Sequence, residues 1–325
     1  YSYRLTGGSF STFAADTTKS ITVTPDGFRT LEIRSRDLAG NIDGTPDSLS
    51  FWVDTLPPSV TILSGPAVGS YMTGTTASFA WSGSDAVTAA LDLRFSVDWD
   101  GGGFSAPDTI HSASRDLLAE GSHSISIQAV DRVARVGQIS RTFYVDQTPP
   151  GAVYSSGPAD GGWTNLTNVA FTWTGTDNLQ PANQIEFAYR MDGGAWSAWS
   201  TTKSFTWNGP SETTHTFEIT ARDQAHNEDQ TPVMITFTVD RVLSDTDITF
   251  GPSPGDTLLI GSAVFGWAGS DDRTPANQLV YSTRVTGGSF SAFTAETSKS
   301  ITVTPDGNRT FDVRSKDLAG NIDPT

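Results

Sequence analysis

Cysteine is absent from this chain of 325 residues, so neither a disulfide nor a thiolate metal ligand can contribute to its fold. Positive charge is scarce, since 20 Lys and Arg residues face 36 Asp and Glu residues and the formal net charge is −16. Such a surface repels phosphate backbones, and nucleic-acid binding is therefore not expected. No apolar run approaches the roughly 18 residues of a transmembrane helix, so we expect no membrane span in this stretch.

Glycine and proline are by contrast plentiful, with 31 and 17 residues. Together with many Ser and Thr residues, they favour short strands that are joined by turns. No segment shows a convincing 3.6-residue hydrophobic period, so we expect almost no helix. The composition predicts an all-β protein.

The chain also repeats itself. The string YSYRLTGGSFSTF at Tyr1 returns as YSTRVTGGSFSAF at Tyr281. An aspartate that ends the pattern Ala-or-Ser-x-Asp recurs at intervals of 94, 92 and 94 residues, at Asp37, Asp131, Asp223 and Asp317. The tryptophan of the pattern F-x-W-x-G-x-D recurs at Trp81, Trp173 and Trp267. One repeat is therefore about 93 residues long, a usual size for a β-sandwich.

Residues 55–146 illustrate the strands of one repeat. We predict strands at Ser59–Ser64, Ala77–Trp81, Leu91–Val97, near Asp116–Leu118, at His123–Asp131 and over the residues that end at Asp146. Period-two alternation places Phe79 and Trp81 on one face of their strand. The inward face of the later strand carries Ile125, Ile127 and Ala129, and its counterparts in other repeats include Leu31, Ile33, Phe217, Ile219, Phe311 and Val313.

The strings at the repeat junctions carry a resemblance to a known family. SRDLAGN begins at Ser35, FWVDTLPP at Phe51 and ARDQAHN at Ala221. A strand that ends A-x-D-x-A-G-N, a last strand that ends V-D and a following T-P-P are typical of bacterial fibronectin type III-like or immunoglobulin-like tandem domains, which the chain resembles. The resemblance implies a tandem array of β-sandwiches in an extended rod. One departure is Val133-Ala134-Arg135, which replaces A-G-N and predicts a differently shaped loop.

The repeat divides the chain into four parts. Residues 1–54 are predicted to be a partial immunoglobulin-like domain with strands C to G, residues 55–146 and 147–240 two whole domains, and residues 241–325 a domain without its last strand. Partial domains expose unpaired strand edges. We therefore expect further repeats of the same polypeptide, or neighbouring copies of it, as partners.

The recurrent aspartates Asp37, Asp131, Asp223 and Asp317 each stand at the end of an inward-facing strand. A carboxylate at the edge of a core must be paired or hydrogen-bonded. The turn that follows each aspartate offers backbone amides. We therefore predict that each carboxylate fixes the loop between strands F and G.

Acidic residues are also candidate calcium ligands. The B–C and F–G loops of a sandwich lie at the pole where the preceding linker enters, so three sets of carboxylates are predicted to meet there. The sets are Asp54, Asp85 and Asp131; Asp146, Asp177 and Asp223; and Asp240, Asp271 and Asp317. Calcium prefers several oxygen ligands. The competing interpretation is that these are solvated turn residues, and no other cofactor is predicted.

Two tryptophans raise the possibility of carbohydrate binding. Trp196 and Trp199 lie in the string GGAWSAW, where the end repeats carry Phe10, Phe13, Phe290 and Phe293. Their spacing could form a sugar-binding platform, although aromatic residues at a shared repeat position usually pack the sandwich.

No catalytic constellation stands out, so we predict that the chain is not an enzyme. GPSPG at Gly251–Gly255 matches a hydrolase string, but the sibling repeats carry alanine in place of Ser253. Histidines His123 and His215 share a position that Arg29 and Arg309 hold elsewhere and are interpreted as solvated residues.

The predicted function is accordingly structural. We expect an extracellular repeat region that forms the stalk or filament of a cell-surface appendage or adhesin. The alternative is an array of carbohydrate- or partner-binding modules, possibly accessory to a secreted enzyme.

Overall fold

A computed structural model describes residues 1–258 and 261–324. Its secondary structure within these residues consists of 22 strands and two single-turn 3₁₀ helices, η1 (Ala90–Asp92) and η2 (Ala276–Gln278). No helix in the described part of the chain is long and apolar enough to cross a membrane. The all-β class predicted from the sequence is confirmed.

The first sheet contains three antiparallel strands in the order β1-β2-β3. The strands are β1 (Ser2–Leu5), β2 (Gly27–Arg34) and β3 (Asp47–Val53). Within residues 1–258 and 261–324 no second sheet covers it. Ile33, predicted to face inward, is 41% exposed, and Phe28 packs on Trp52 with 5.3 Å between ring centroids. The prediction for Ile33 is wrong because alternation selects a face of the strand but does not supply the sheet that buries it.

Residues 59–145 form a β-sandwich. Its strands are β4 (Ser59–Ser64), β5 (Tyr71–Met72), β6 (Ala77–Ser84), β7 (Arg94–Trp99), β8 (Ser112–Arg115), β9 (Gly121–Val130) and β10 (Val136–Val145). One sheet has the order β4-β6-β8 and the other β5-β10-β9-β7, with β5 parallel to β10. A single core joins both sheets, and Ile125, Ile127 and Ala129 are fully buried in it, as predicted.

Residues 151–239 repeat this plan. The strands are β11 (Gly151–Ser156), β12 (Gly162–Thr164), β13 (Asn168–Thr176), β14 (Glu186–Met191), β15 (Ser204–Asn208), β16 (Thr214–Arg222) and β17 (Val233–Val239). The two sheets have the orders β11-β13-β15 and β12-β17-β16-β14. Phe171, Phe217 and Phe237 are buried in the core between them.

The last sheets lie in residues 245–316. Their strands are β18 (Asp245–Phe250), β19 (Ser262–Ser270), β20 (Val280–Val285), β21 (Ser298–Thr302) and β22 (Phe311–Lys316). The sheet orders are β18-β19-β21 and β20-β22. Trp267, Tyr281 and Val313 form a small buried core.

The contacts divide the chain into two compact units. Compact unit 1 comprises Tyr1–Gln147 with Gln224–His226, and compact unit 2 comprises Thr148–Asp223 with Asn227–Thr325. Unit 1 thus holds β1–β10 and unit 2 holds β11–β22. The four domains with boundaries at 54, 146 and 240 stay a prediction, as does the extended rod.

The recurrent F-x-W-x-G string marks close packing between the two sheets of a sandwich. Gly83 lies under the ring of Phe95, so that a Cβ built on it would be 2.8 Å from Cζ of the ring. A Cβ on Gly175 would be 2.9 Å from Cζ of Phe187. Only glycine leaves room for the aromatic side chain of the facing strand.

Two strand predictions are displaced. The strand expected at Leu91–Val97 begins only at Arg94, because η1 precedes it and Leu91 is 87% exposed. The strand expected near Asp116–Leu118 is β8 (Ser112–Arg115). Leu117 has a φ of 56°, which a strand cannot accommodate.

Candidate functional site

Three carboxylates meet in compact unit 1. Asp54 directly follows β3, Asp85 follows β6 and Asp131 follows β9. One oxygen of each carboxylate lies within 4.8 Å of one oxygen of the other two. The end of one sheet and two loops of the following sandwich therefore place three negative charges at a single point. We call this group the first carboxylate cluster.

Local hydrogen bonds orient Asp85 and Asp54. The Asp85 Oδ1 atom accepts from the backbone amides of Val87 at 2.8 Å and Thr88 at 2.7 Å. The Thr88 hydroxyl donates to Oδ2 of Asp54 at 3.4 Å. Oδ1 of Asp54 is buried and has no hydrogen-bond partner in the part of the chain that the structure describes.

Asp131 is held by the turn that follows it. Its Oδ1 atom accepts from the amides of Val133 at 2.9 Å and Arg135 at 2.8 Å. Asp131 is only 7% exposed, and no atom of residues 1–258 or 261–324 forms a hydrogen bond with its Oδ2 atom. One oxygen of this carboxylate is thus fixed while the other is buried and unsatisfied.

The same arrangement occurs in compact unit 2 and is called the second carboxylate cluster. Asp240 follows β17, Asp271 follows β19 and Asp317 follows β22, and their oxygens lie within 4.8 Å of one another. Oδ2 of Asp271 accepts from the amides of Arg273 at 3.0 Å and Thr274 at 2.7 Å. Its Oδ1 atom is buried without a partner.

Asp240 is the most buried member of the second carboxylate cluster, with no exposed surface. Its Oδ1 atom accepts from the amide of Val242 at 3.1 Å, and none of the residues that the structure describes donates a hydrogen bond to its Oδ2 atom. Burial raises the pKa of Asp240 to about 6, and the charges of Asp271, Asp317 and Asp272 contribute to the rise. Burial likewise raises the pKa of Asp54, with contributions from neighbouring aspartates. Both clusters therefore concentrate negative charge, and within residues 1–258 and 261–324 none of their carboxylates forms an ion pair with Lys or Arg.

The remaining predicted set is divided between the compact units. Asp146 lies in unit 1, directly after β10, and is fully buried. Asp177 and Asp223 lie in unit 2, where Asp177 accepts from the amides of Asn178 and Gln180 at 2.9 and 3.2 Å. Calcium binding by this set stays a prediction.

The recurrent aspartates fix their F–G loops, as predicted. Asp37, Asp223 and Asp317 accept from both the amide and the side chain of the residue four positions later, Asn41, Asn227 and Asn321. The loop at Asp131 keeps the same backbone turn, and Ala134 occupies its left-handed position with a φ of 64°. The expectation of a differently shaped loop is therefore wrong. The backbone amides alone suffice to form the turn.

In compact unit 1, hydrogen bonds join the first sheet to the sandwich that follows. The Arg135 Nε atom donates to the carbonyl oxygen of Asp54 at 3.3 Å. Asp26 accepts from the amides of Thr55 and Leu56 at 2.9 and 3.1 Å. The Thr55 hydroxyl and amide hold the pKa of Asp26 below its ordinary value. The sequence analysis did not identify Asp26, although the string PDG recurs at residue 305.

Compact unit 2 has a comparable junction between its two pairs of sheets. The Asn321 side chain donates to the carbonyl oxygen of Asp240 at 2.9 Å and accepts from Asn165 at 3.0 Å. The Arg273 guanidinium donates to the carbonyl oxygen of Glu212. Asn321 is 6% exposed. Asn321 was not predicted as a junction residue, and nothing in the A-G-N pattern indicates a contact across the junction.

The two tryptophans proposed as a sugar platform each stack on an arginine of compact unit 2. The guanidinium carbon of Arg190 lies 4.5 Å from the Trp196 ring centroid, and that of Arg222 lies 4.6 Å from the Trp199 centroid. Phe290, at the equivalent position of the last repeat, is contacted by Arg314 at 3.8 Å. The aromatic residue at this position therefore packs against an arginine in both repeats, and sugar binding stays a prediction.

Ser211, His215 and Asp192 form a row that resembles a catalytic triad. His215 Nε2 lies 3.4 Å from the Ser211 hydroxyl, and Nδ1 lies 2.9 Å from Asp192 Oδ2. However, Nε2 also lies 2.9 Å from the Ser211 carbonyl oxygen. A carbonyl only accepts, so Nε2 carries a proton and is not free to act as the base for the hydroxyl.

Other repeats support a structural role for this row. His123 makes the same contacts to Asp100 and to the carbonyl oxygen of Ala119, where no hydroxyl is present. At the same position, Arg309 donates to the carbonyl oxygen of Pro305 at 2.7 Å. His215 is 3% exposed, so the interpretation of this position as solvated is wrong there. In each of these repeats, the side chain at this position near the start of the strand forms a hydrogen bond with the carbonyl oxygen of the residue four positions earlier.

Comparisons with known proteins give structural matches only. No protein-family model matches the chain, and no curated protein matches it. Its structural neighbours are fibronectin III-like and immunoglobulin-like tandem domains. They include fibronectin(III)-like modules of Clostridium thermocellum CbhA, with a TM-score of 0.35 and 17% identity over 55% of this chain and 93% of that one.

Two further neighbours span nearly the whole chain. A tetra-tandem repeat in the extending region of a large adhesion protein has a TM-score of 0.29 and 19% identity, over 99% of this chain and 88% of its own. Immunoglobulin domains 1–5 of Sidekick-1 have a TM-score of 0.43 and 10% identity, over 98% of this chain and 71% of their own. The β-sandwich assignment follows from the strand orders and shared cores described above.

Proposed function

We propose that the chain is a structural repeat region of an extracellular stalk or filament, part of a cell-surface appendage or adhesin. The observation that carries the proposal is the hydrogen bonding across the junctions inside the compact units, from the first sheet to the following sandwich in unit 1 and between the two pairs of sheets in unit 2. Asn321 links the strand-end residue Asp240 to Asn165, and Arg135 binds the carbonyl of Asp54. Junctions of this kind restrict bending between successive domains, whereas the backbone of a flexible linker is hydrogen-bonded only to water.

The composition suits the same role. The two whole sandwiches each enclose a core that draws side chains from both of their sheets. A net charge of −16 favours solubility and opposes lateral association between neighbouring stalks. The Nε2 atom of His215, beside the Ser211 hydroxyl, lies 2.9 Å from a carbonyl oxygen and is not free to act as a base. Spacing, rather than chemical transformation, is the role that these features support.

Small-angle scattering of the purified chain tests the proposed rigidity. A compact globule of this length has a radius of gyration of about 20 Å. Sandwiches of about 30 Å each, arranged in series, predict a value of about 30 Å. Asn321→Ala removes the junction contacts and is expected to broaden the distance distribution, while Asn308→Ala, on an exposed loop, serves as the matched control. A wild-type value near 20 Å would contradict the proposal.

Cellular location requires a separate measurement. Antibodies against the chain are expected to label intact source cells, and electron microscopy is expected to show beaded filaments with an axial spacing of about 30 Å per sandwich. Labelling only after the cells are permeabilised would contradict an extracellular stalk.

Carbohydrate binding is the second candidate. Trp196 is 37% exposed, and Trp199 lies three residues away. A glycan array probed with the chain and with the Trp196→Ala, Trp199→Ala double variant distinguishes the two roles. Signals that the double variant loses would favour a binding module, and an array without signals would favour the stalk.

A further inference from the structure

The two carboxylate clusters have the ligand chemistry of a calcium site. Calcium binds oxygen at about 2.3–2.6 Å, so two oxygens on one ion can be at most about 5 Å apart. In each cluster, one oxygen from each of three aspartates meets this condition, because all three lie within 4.8 Å of one another. The three residues come from separate parts of the chain, so the fold, and not their proximity in sequence, brings them together.

Unsatisfied buried oxygens are the second, independent observation. Asp240 has no exposed surface and Asp131 is 7% exposed, yet Oδ2 of each has no hydrogen-bond partner among the described residues. Oδ1 of Asp54 and Oδ1 of Asp271 are in the same situation. A buried carboxylate oxygen without a partner is costly to the folded state. A cation bound between the carboxylates of each cluster would offset this cost.

The hydrogen-bonded oxygens hold the carboxylates in position before an ion binds. In Asp131 and Asp240, Oδ1 accepts hydrogen bonds from backbone amides, and Oδ2 is the unsatisfied oxygen. In Asp271 the roles are exchanged, because Oδ2 accepts the amide hydrogen bonds and Oδ1 is unsatisfied. These three carboxylates are therefore each fixed by one oxygen, and Asp317 is fixed by both, so that an arriving ion need not order the side chains. Such preorganisation increases affinity.

We infer that the first carboxylate cluster (Asp54, Asp85, Asp131) and the second (Asp240, Asp271, Asp317) each bind one calcium ion. Asp54 and Asp240 follow the last strand of one sheet, whereas the other ligands belong to loops of the next pair of sheets. A bound ion joins the two by direct coordination, in addition to the hydrogen bonds. Extracellular modules bind calcium with Kd values of about 0.1–1 mM, which suits a site of three carboxylates completed by other oxygens.

Calorimetric titration of the full chain with calcium chloride in 150 mM potassium chloride, after removal of metals, tests the inference directly. At least two ions per chain are expected, with a Kd below about 1 mM. Asp54→Asn and Asp240→Asn are each expected to remove one ion or to weaken its binding roughly tenfold or more, because ligand charge sets the affinity. Asp16→Asn, an exposed residue outside the clusters, is the control and is expected to bind as the wild type does.

Thermal unfolding supplies a second readout, the stability of the fold with and without calcium. In chelator, Asp240→Asn is expected to raise the melting temperature, because it removes a buried charge beside Asp271 and Asp317. In 5 mM calcium the wild type is expected to gain several degrees and the variant less. If Asp240→Asn does not fold, Asp271→Asn, which changes a half-buried ligand of the same cluster, replaces it.

Three results would overturn the inference: no saturable heat up to about 10 mM calcium, equal binding by magnesium, or folded ligand variants that bind the same number of calcium ions with unchanged affinity. Magnesium is a strict comparison because it requires a smaller octahedral site and gives up water reluctantly. The stalk proposal is tested by scattering and by labelling of cells, so failure of calcium binding leaves its test unaffected.

Discussion

Asp131 and Asp317 occupy equivalent positions but satisfy their carboxylates differently. Asn321 donates both its amide and its side chain to Asp317, at 2.8 and 2.7 Å. Arg135 stands in place of the asparagine after Asp131 and donates only its amide to the carboxylate, while its Nε atom binds the carbonyl of Asp54. One substitution between repeats thus leaves Oδ2 of Asp131 unsatisfied and tightens the junction by another route.

Ala134 provides a test at the scale of one residue. Its φ of 64° lies in the left-handed region, where Gly320 stands in the last repeat with a φ of 93°. We expect Ala134→Gly to increase the free energy of unfolding by about 0.5–1 kcal/mol, because the relief of backbone strain exceeds the added entropy of the unfolded chain. Urea denaturation followed by tryptophan fluorescence measures this change.

The reverse substitution is the matched control for Ala134→Gly. No atom lies within 4 Å of a Cβ built on Gly320, so Gly320→Ala introduces backbone strain without a clash. A loss of about 0.5–1 kcal/mol is expected. If both variants changed stability in the same direction, the role assigned to the left-handed position would be incorrect.

The F-x-W-x-G string acts at the scale of the strand and its neighbour. In β13 the side chains of Phe171 and Trp173 enter the core, and Gly175 lies next on the same face, against Phe187 of the other sheet. A third large side chain on that face would separate the two sheets. The repeated string therefore keeps a position without a side chain as well as two hydrophobic residues.

Gly175→Ala tests this interpretation of the strand. The new Cβ would lie 2.9 Å from the Phe187 ring, which is itself 2% exposed and packed. We expect a loss of about 1–3 kcal/mol from overpacking. Gly151→Ala, in the neighbouring strand β11, places its Cβ 3.7 Å from a hydroxyl and is expected to change stability by less than about 1 kcal/mol. Equal effects of the two variants in chemical denaturation would argue against the packing explanation.

Strand positions could be predicted where alternation was clear. Strand β4 was expected at Ser59–Ser64 and is found there. The start of β7 could not be predicted, because the apolar Leu91 lies on a 3₁₀ turn with its side chain exposed. Hydrophobic residues in a short run give a period but do not reveal where a turn interrupts it.

At the scale of the whole molecule, stability is distributed over separate cores. Residues of both sheets between 59 and 145 share one cluster, and residues between 151 and 239 share another. We expect a fragment of residues 55–146 to unfold cooperatively, with a free energy of about 5–14 kcal/mol at the usual stability per residue. Urea titration followed by fluorescence of the buried Trp81 measures it.

An Ile127→Ala version of that fragment calibrates the measurement. Ile127 is fully buried, and its truncation is expected to cost about 2–5 kcal/mol. A fragment that shows no cooperative transition, with or without the substitution, would mean that residues 55–146 do not form an independent domain.

The order of residues along the chain was sufficient for the class of fold, the length of the repeat and the approach of Asp54 to Asp85 and Asp131. Each of these follows from local alternation or from the known geometry of loops at one end of a sandwich. Which oxygens find a partner could not be predicted in this way. The contacts of Asn321 with Asp240 and Asn165 join residues 81 and 156 positions apart, and only the packing of complete sheets brings such atoms together.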